Sequence, residues 1–424
     1  MKKFRTVIFL LLIIIMLIGL VNTVYAENPG IDFASEEYRA MIARSLLSTG
    51  NNRRLKTAIE KAKRGEDVTI AYIGGSITQG AGASPINTNC YAYQSYLKFK
   101  EMFGKDGGDN IHFIKAGVGG TPSQLGVIRY ERDVLRDGAV EPDIVIVEFA
   151  VNDADDETRG VSYESLVLKI LSAENKPAVI LLFSVFKSDW NLQDRLAPIG
   201  RHYDLPMVSI KDAVVNQFYL TKEKGNVISK EDFFADIYHP SNAGHRIMAD
   251  CLAYLFAEID KEEMAEEDIV LDKKPLYGDA FKNIRLLDRT TNTEAAIIEE
   301  GGFRLRDYDL QRVEMDTDAI GTPMFPNNWM HNIYSGTGSF KMTIKSSSLM
   351  LVYKDSGSAD FGKAEIYVDG KYVKTVDPRK INWTHCNATL LYEEEEAREH
   401  TIEIKMAPGD EFKSFTILGF GYTL

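Results

Sequence analysis

The chain has 424 residues, 45% of them hydrophobic, which is long and apolar enough for two domains with separate cores. A formal net charge of −13 argues against nucleic acid and anionic membrane surfaces as partners. Three cysteines make no disulfide framework, and the odd count leaves at least one unpaired, so the fold must rest on its cores.

At the N-terminus, Lys2, Lys3 and Arg5 precede an apolar run from Val7 to Val21, and Val24-Tyr25-Ala26 offers small residues where a signal peptidase cuts. Residues 1–26 are therefore expected to be a secretory signal, with the mature chain starting at Glu27 outside the cell. The run is shorter than the roughly 20 residues of a spanning helix, and stable membrane association would require that the segment stay uncleaved. Helical spacing of apolar residues predicts packing helices over Ser35 to Leu47 and Arg53 to Arg64.

Four apolar, β-branched runs follow: Val68 to Ile73, Ile111 to Ala116, Asp143 to Ala150 and Pro177 to Ser184. Separated by helical segments, they read as buried parallel strands. Ligands of such sheets bind at the carboxyl ends of the strands, where this chain places Ser76, Gly120 and Asn152. The loop after the fourth strand carries Lys187, Asp189 and Trp190, and we expect Lys187 and Trp190 to contact substrate.

Further on, Asp236-Ile237-Tyr238-His239-Pro240 precedes a helix. A serine hydroxyl needs a base to become a nucleophile, and imidazole, oriented by a carboxylate, suits neutral pH. Asp236 and His239 are close enough in sequence for one tight loop to hold that pair, and Ser76 completes a Ser, Asp, His order. Competing motifs fail. Thr78 stands where a nucleophile elbow needs glycine, Ala81 stands where a phosphate loop needs lysine, and Gly80-Ala81-Gly82 lacks the third glycine of a dinucleotide fingerprint. Asp236, His239 and His245 as metal ligands is the lesser alternative, and neither metal nor cofactor is expected.

These segments together resemble the SGNH, or GDSL, hydrolase superfamily. Its four blocks have counterparts in Gly74-Gly75-Ser76-Ile77, Ala116 to Thr121, Ala150-Val151-Asn152-Asp153 and Asp236 to His239. The resemblance implies a flavodoxin-like three-layer α/β/α domain with a parallel sheet. It implies that Ser76 is the nucleophile and His239 the base, oriented by Asp236. It also implies an oxyanion hole made by the Ser76 and Gly120 N–H groups and the Asn152 side chain. Gly75 replaces the usual aspartate, Ile77 the leucine and Ala150 a glycine, which marks a divergent branch.

The hydrolase domain is expected to span 27–260. An acidic stretch with Glu262, Glu263, Glu266, Glu267 and Asp268 then reads as a solvated linker over 261–275. Beyond it, short alternating runs (Phe340 to Ile344, Leu349 to Tyr353, Ala364 to Val368, Thr401 to Met406, Phe415 to Phe420) predict an antiparallel β-sandwich over 276–424. Trp329, in a polar and aromatic stretch from Asn327 to Asn332, is expected to contact substrate, whereas Trp383 is expected in the core or the domain interface. A secreted esterase with a sandwich module points to O-acetyl esters on plant polysaccharides such as xylan or mannan as substrates. A small-acyl ester or lysophospholipid hydrolase is the alternative enzyme, and a carbohydrate-binding adhesin with an inactive hydrolase domain is the alternative of another class.

Overall fold

The computed structural model describes residues 31–424, so the signal-peptide reading of residues 1–26 falls outside it. Among the described residues, no helix is long and apolar enough to cross a membrane.

Six strands build the first sheet: β1 (Leu46–Ser48), β2 (Val68–Gly74), β3 (Ile111–Gly117), β4 (Ile144–Glu148), β5 (Ala178–Phe183) and β6 (Met207–Ser209). They lie in the order β1-β6-β5-β4-β2-β3, every pair parallel except β1 with β6. Without the short edge strand β1, this is the flavodoxin-like order, whose direction of winding reverses between β2 and β4. Connections leave the two strands in opposite directions there, and a crevice opens at their carboxyl ends. The register aligns Gly74 with both Gly117 and Glu148, so the loops after β2, β3 and β4 emerge side by side.

The helices that matter here are α1 (Glu36–Ala43), α2 (Arg53–Arg64), α3 (Ser76–Gln79), α4 (Tyr91–Phe103), α5 (Ser123–Asp133), α6 (Val161–Leu171), α7 (Gln193–His202) and α8 (Asn242–Lys261). Alternate strand residues feed two separate cores, as a sheet covered on both faces requires. Ile70, Tyr72, Ile144, Ile146, Ile180 and Leu182 meet apolar residues of α2, α4 and α8. Ala71, Ile73, Val145, Val147, Leu181 and Phe183 meet those of α5, α6 and α7. The first predicted helix ends early, because Leu46–Ser48 pairs with β6 instead.

The acidic stretch is not a solvated linker. Arg54 forms an ion pair with Asp268 at 2.8 Å, the Asn52 carboxamide reaches Glu262 and Glu263, and Arg53 donates to the carbonyls of Ala265 and Glu266. Further on, the buried Glu164 carboxylate accepts N–H groups from Leu276, Tyr277 and Gly278. Basic and amide groups on α2 and one buried acid on α6 thus hold the strap down, a pairing that composition alone does not reveal.

The C-terminal part is a β-sandwich of antiparallel strands: β7 (Arg285–Leu287), β8 (Ala296–Glu299), β9 (Trp329–His331), β10 (Phe340–Asp355), β11 (Ala364–Val368), β12 (Lys371–Val376), β13 (His385–Met406) and β14 (Phe415–Thr423). Two runs predicted as separate strands, at 340–344 and 349–353, belong to the single strand β10. At Ser346 to Ser348 the register with β13 shifts, the extra residues lying on β13 between Glu393 and Arg398, so β10 runs on unbroken. Every residue of β14 is buried. Phe415, Ile417, Phe420 and Tyr422 enter the sandwich core, while Leu418 joins Met350, Val352, Cys386 and Ala388 in the core that also contains α5. The two parts of the chain therefore share apolar packing. Cys90, Cys251 and Cys386 are all free and buried.

Candidate active site

The end of β2 turns sharply into α3, and Ser76 is the first residue of that helix. Glycine is required on both sides of the turn. A Cβ on Gly74 would lie 2.4 Å from the Glu148 carbonyl oxygen, and one on Gly75 would lie 2.1 Å from Asn152 Oδ1. The Asn152 carboxamide fills the space that a side chain at position 75 would need.

The structure brings Ser76, Asp236 and His239 together. His239 Nε2 lies 3.0 Å from Ser76 Oγ, and its Nδ1 lies 2.8 Å from Asp236 Oδ2. Asp236 can only accept, so Nδ1 carries the hydrogen and Nε2 is left to accept from the serine. The other carboxylate oxygen accepts the N–H groups of Tyr238 and His239, closing the local loop. Burial pushes the Asp236 carboxyl up, but hydrogen bonds from the His239 ring and those two amides outweigh it and hold the carboxyl below its ordinary range. The loop is pinned by Ala235 N–H to His239 O at 2.9 Å, and by Lys187 N–H to Ile237 O at 3.2 Å. It also packs against Gly82, where a Cβ would lie 2.1 Å from the Pro240 carbonyl oxygen.

Asn152 and Gly120 stand at the same crevice. Gly120 adopts φ +73°, a left-handed conformation that favours glycine. Among the described residues neither its N–H nor the Asn152 Nδ2 has a hydrogen-bond partner, and Asn152 Oδ1 is buried without one. Both stand close to the nucleophile's turn: a Cβ on Gly119 would lie 3.7 Å from Ser76 Cβ, and Asn152 packs against Gly75.

His245 is not a companion ligand. It lies buried on α8, its Nδ1 accepting from Tyr91 N–H at 3.1 Å and its Nε2 donating to Ala81 O at 3.0 Å, and burial lowers its pKa to about 4. Both nitrogens are engaged by the fold, and the metal alternative lapses.

Of the two sandwich tryptophans, Trp329 departs from expectation, while Trp383 lies where the two parts of the chain meet. Trp329 is 2% exposed, packed against Phe340 and Phe420 in the sandwich core with its indole N–H donating to Glu300, so it does not contact substrate. Its polar neighbourhood is misleading, because the buried Asn328 serves the backbone of Asp307 and Phe325. Trp383 is 43% exposed, and its ring lies over Gly120, where a Cβ would come within 2.9 Å of it. Trp190 is 39% exposed and stacks on Phe186, which meets Tyr238 beside His239. Two tryptophans therefore border the crevice, one from each part of the chain. The Lys187 ammonium faces Glu231 at 3.9 Å.

Beneath the nucleophile lies a residue that the sequence does not single out. Glu148, buried at the end of β4, accepts from Ser184 and from Thr78 of α3, and Thr78 also bonds the Tyr91 hydroxyl. Burial pushes Glu148 up to about 7 against these hydrogen bonds, from an ordinary value near 4.5. Between those values the folded chain binds more protons than the unfolded chain, so this group's contribution to stability is complete below about 4.5 and is lost as pH rises through about 7. In Glu148→Gln, Tm relative to the parent is accordingly expected to rise between about pH 4.5 and pH 8. A Tm difference that stays constant across thermal melts in that range would contradict a titrating Glu148.

Residues 72–247 match the family model described as GDSL-like Lipase/Acylhydrolase. The matched residues form a GDSL-like, or SGNH, hydrolase domain. The chain is a carboxylic ester hydrolase with a sandwich behind that domain. It is similar to the crystal structure of a two-domain esterase, CEX, active on acetylated mannans, with 28% identity and a TM-score of 0.76. That match covers 90% of this chain and 99% of the other. The same two-domain esterase co-crystallised with mannopentaose matches at 28% identity and a TM-score of 0.73, over 90% of this chain and 98% of the other. No curated protein sequence matches the chain significantly.

Proposed function

We propose that this SGNH hydrolase is a secreted acetylesterase that removes O-acetyl groups from plant polysaccharide, acetylated mannan before acetylated xylan. The observation carrying this reading is the likeness to an esterase active on acetylated mannans across both parts of the chain, where a likeness confined to the hydrolase fold would leave the substrate open.

In the proposed mechanism, His239 Nε2 takes the Ser76 proton as Oγ attacks the ester carbonyl carbon, and Asp236 stabilises the imidazolium so formed. The carbonyl oxygen becomes an oxyanion, met by the N–H groups of Ser76 and Gly120 and by Asn152 Nδ2. One such preorganised donor lowers the barrier by about 3 kcal/mol. His239 then returns its proton to the departing sugar hydroxyl, leaving acetyl on Ser76. Water, deprotonated by His239, attacks that ester and releases acetate. Trp383 and Trp190 offer aromatic faces to the sugar rings on either side of the crevice.

The test is acetate release from acetylated mannan and from acetylated xylan by protein beginning at Glu27. We expect release from mannan to be faster. No acetate from either polymer, with short aryl esters still cleaved, would move the substrate elsewhere.

A further inference from the structure

The donor at Gly120 sits in the Val118 to Pro122 loop after β3, and nothing in the first sheet fixes which way its N–H points. We propose that Gln311 and His385, both supplied by the second part of the chain, are positioning residues that aim the Gly120 N–H into the crevice. The proposal rests on the oxyanion-hole reading above.

A peptide unit is planar, with its C=O and N–H antiparallel, so holding the Gly119 carbonyl fixes the direction of the Gly120 N–H. Gln311 Nε2 donates to that carbonyl at 2.9 Å. The next peptide is held as well, with His385 Nε2 donating to Gly120 O at 2.9 Å. With both flanking carbonyls held, the two soft dihedrals of Gly120 are restrained, although glycine by itself would have the most freedom of any residue. From the other side, Gly119 N–H donates to Gln79 Oε1, and Gln79 Nε2 in turn donates to Glu314.

Each clamping side chain is itself held. Gln311 is buried, and its Oε1 accepts Cys386 N–H at 2.8 Å. His385 is buried, with Nδ1 3.2 Å from Oδ2 of the buried Asp355, which Asn387 Nδ2 also reaches at 3.1 Å. Because a carbonyl only accepts, His385 Nε2 carries a hydrogen, and the Nδ1 side of the ring is held against Asp355. The pair repeats the carboxylate and imidazole geometry of Asp236 and His239, but it points at a peptide carbonyl where the other points at a hydroxyl. Such supported donors are what a preorganised oxyanion site needs, since a loose donor must reorganise as charge develops.

Simple adhesion between the two parts of the chain does not require these two bonds. Glu157 with Thr389 and Leu390, Arg136 with Asp316, and Asn87 with the Thr317 carbonyl tie the same seam without touching the Gly119 or Gly120 carbonyls.

The experiment measures kcat and KM for 4-nitrophenyl acetate with the full chain and three variants. Gln311→Glu keeps the acceptor for Cys386 N–H but loses the donor, and His385→Leu loses the other donor. Each is expected to lower kcat by about 10- to 100-fold with KM within about twofold of the parent, the signature of a misaimed transition-state donor. His385→Gln, whose amide reaches the same carbonyl, is expected to recover most of that loss. Parental kcat in folded Gln311→Glu and His385→Leu overturns the proposal, and so does a rise in KM alone or a His385→Gln as impaired as His385→Leu. If one of the two loss variants fails to fold, the other decides. Ser76→Ala is run alongside, and if it keeps full turnover, the nucleophile reading fails separately from this one.

Discussion

Alanine at Ser76 is expected to lower kcat for ester hydrolysis by about 10⁶-fold while leaving the fold in place. The size follows from the mechanism: both half reactions pass through Oγ, and without it His239 and the oxyanion donors have no bound acyl group to act on. The fold should survive, because the hydroxyl's hydrogen bond is to His239 Nε2 and the helix start is set by the glycines before it. Loss of one part-buried hydroxyl costs about 1 kcal/mol, small against the 5–15 kcal/mol that holds a domain together. Steady-state kinetics on 4-nitrophenyl acetate, with a thermal melt of the same sample, check both halves. A folded variant that retains a tenth or more of the parental kcat, as an approximate threshold, would remove Ser76 from the chemistry.

The site was legible in sequence to the extent that its parts are local. Val68 to Ile73 reads as a strand because a strand buried on both faces is apolar at every position, and Ser76 follows from where it ends. Asp236 and His239 are readable because one short loop holds both. The fifth parallel strand, Met207–Ser209, has only three residues and leaves too short a run to be seen.

What the sequence hid depends on contacts between distant segments. Gln311 lies 192 residues from Gly119 and His385 lies 265 from Gly120, and neither sits in a motif. Trp329 was assigned to the substrate side because polar neighbours look like a loop, while here Asn328 satisfies buried backbone. The reverse holds for the acidic strap at 261–275: charge density reads as solvation until Arg54 and Asn52 are seen facing it.

A second large effect is expected on cutting the chain after Pro275: residues 27–275 should not form a stable, active hydrolase domain. α5 follows directly from the Gly120 loop, and residues 123–130 of it are all buried. Its Val127 and Ile128 belong to one core with Met350, Val352, Cys386, Ala388 and Leu418, and a Cβ on Gly421 of β14 would lie 2.7 Å from Ile128. Exposing each such aliphatic side chain costs about 1.5–3 kcal/mol, so a few of them reach the whole stability of a domain. The cut also strips Glu164 of the N–H groups of Leu276, Tyr277 and Gly278 and leaves a buried carboxylate with the Tyr203 hydroxyl. Each lost charge-assisted bond adds about 1–3 kcal/mol. Expression of 27–275 should therefore give insoluble protein or a melt far below that of the full chain. A soluble fragment with a cooperative melt and parental kcat on 4-nitrophenyl acetate would show that the shared core is dispensable. It would also show that the Gly120 donor keeps its aim without Gln311 and His385. The fragment thus puts one question to the packing, which β10, β13 and β14 answer, and another to the chemistry, which Gln311 and His385 answer.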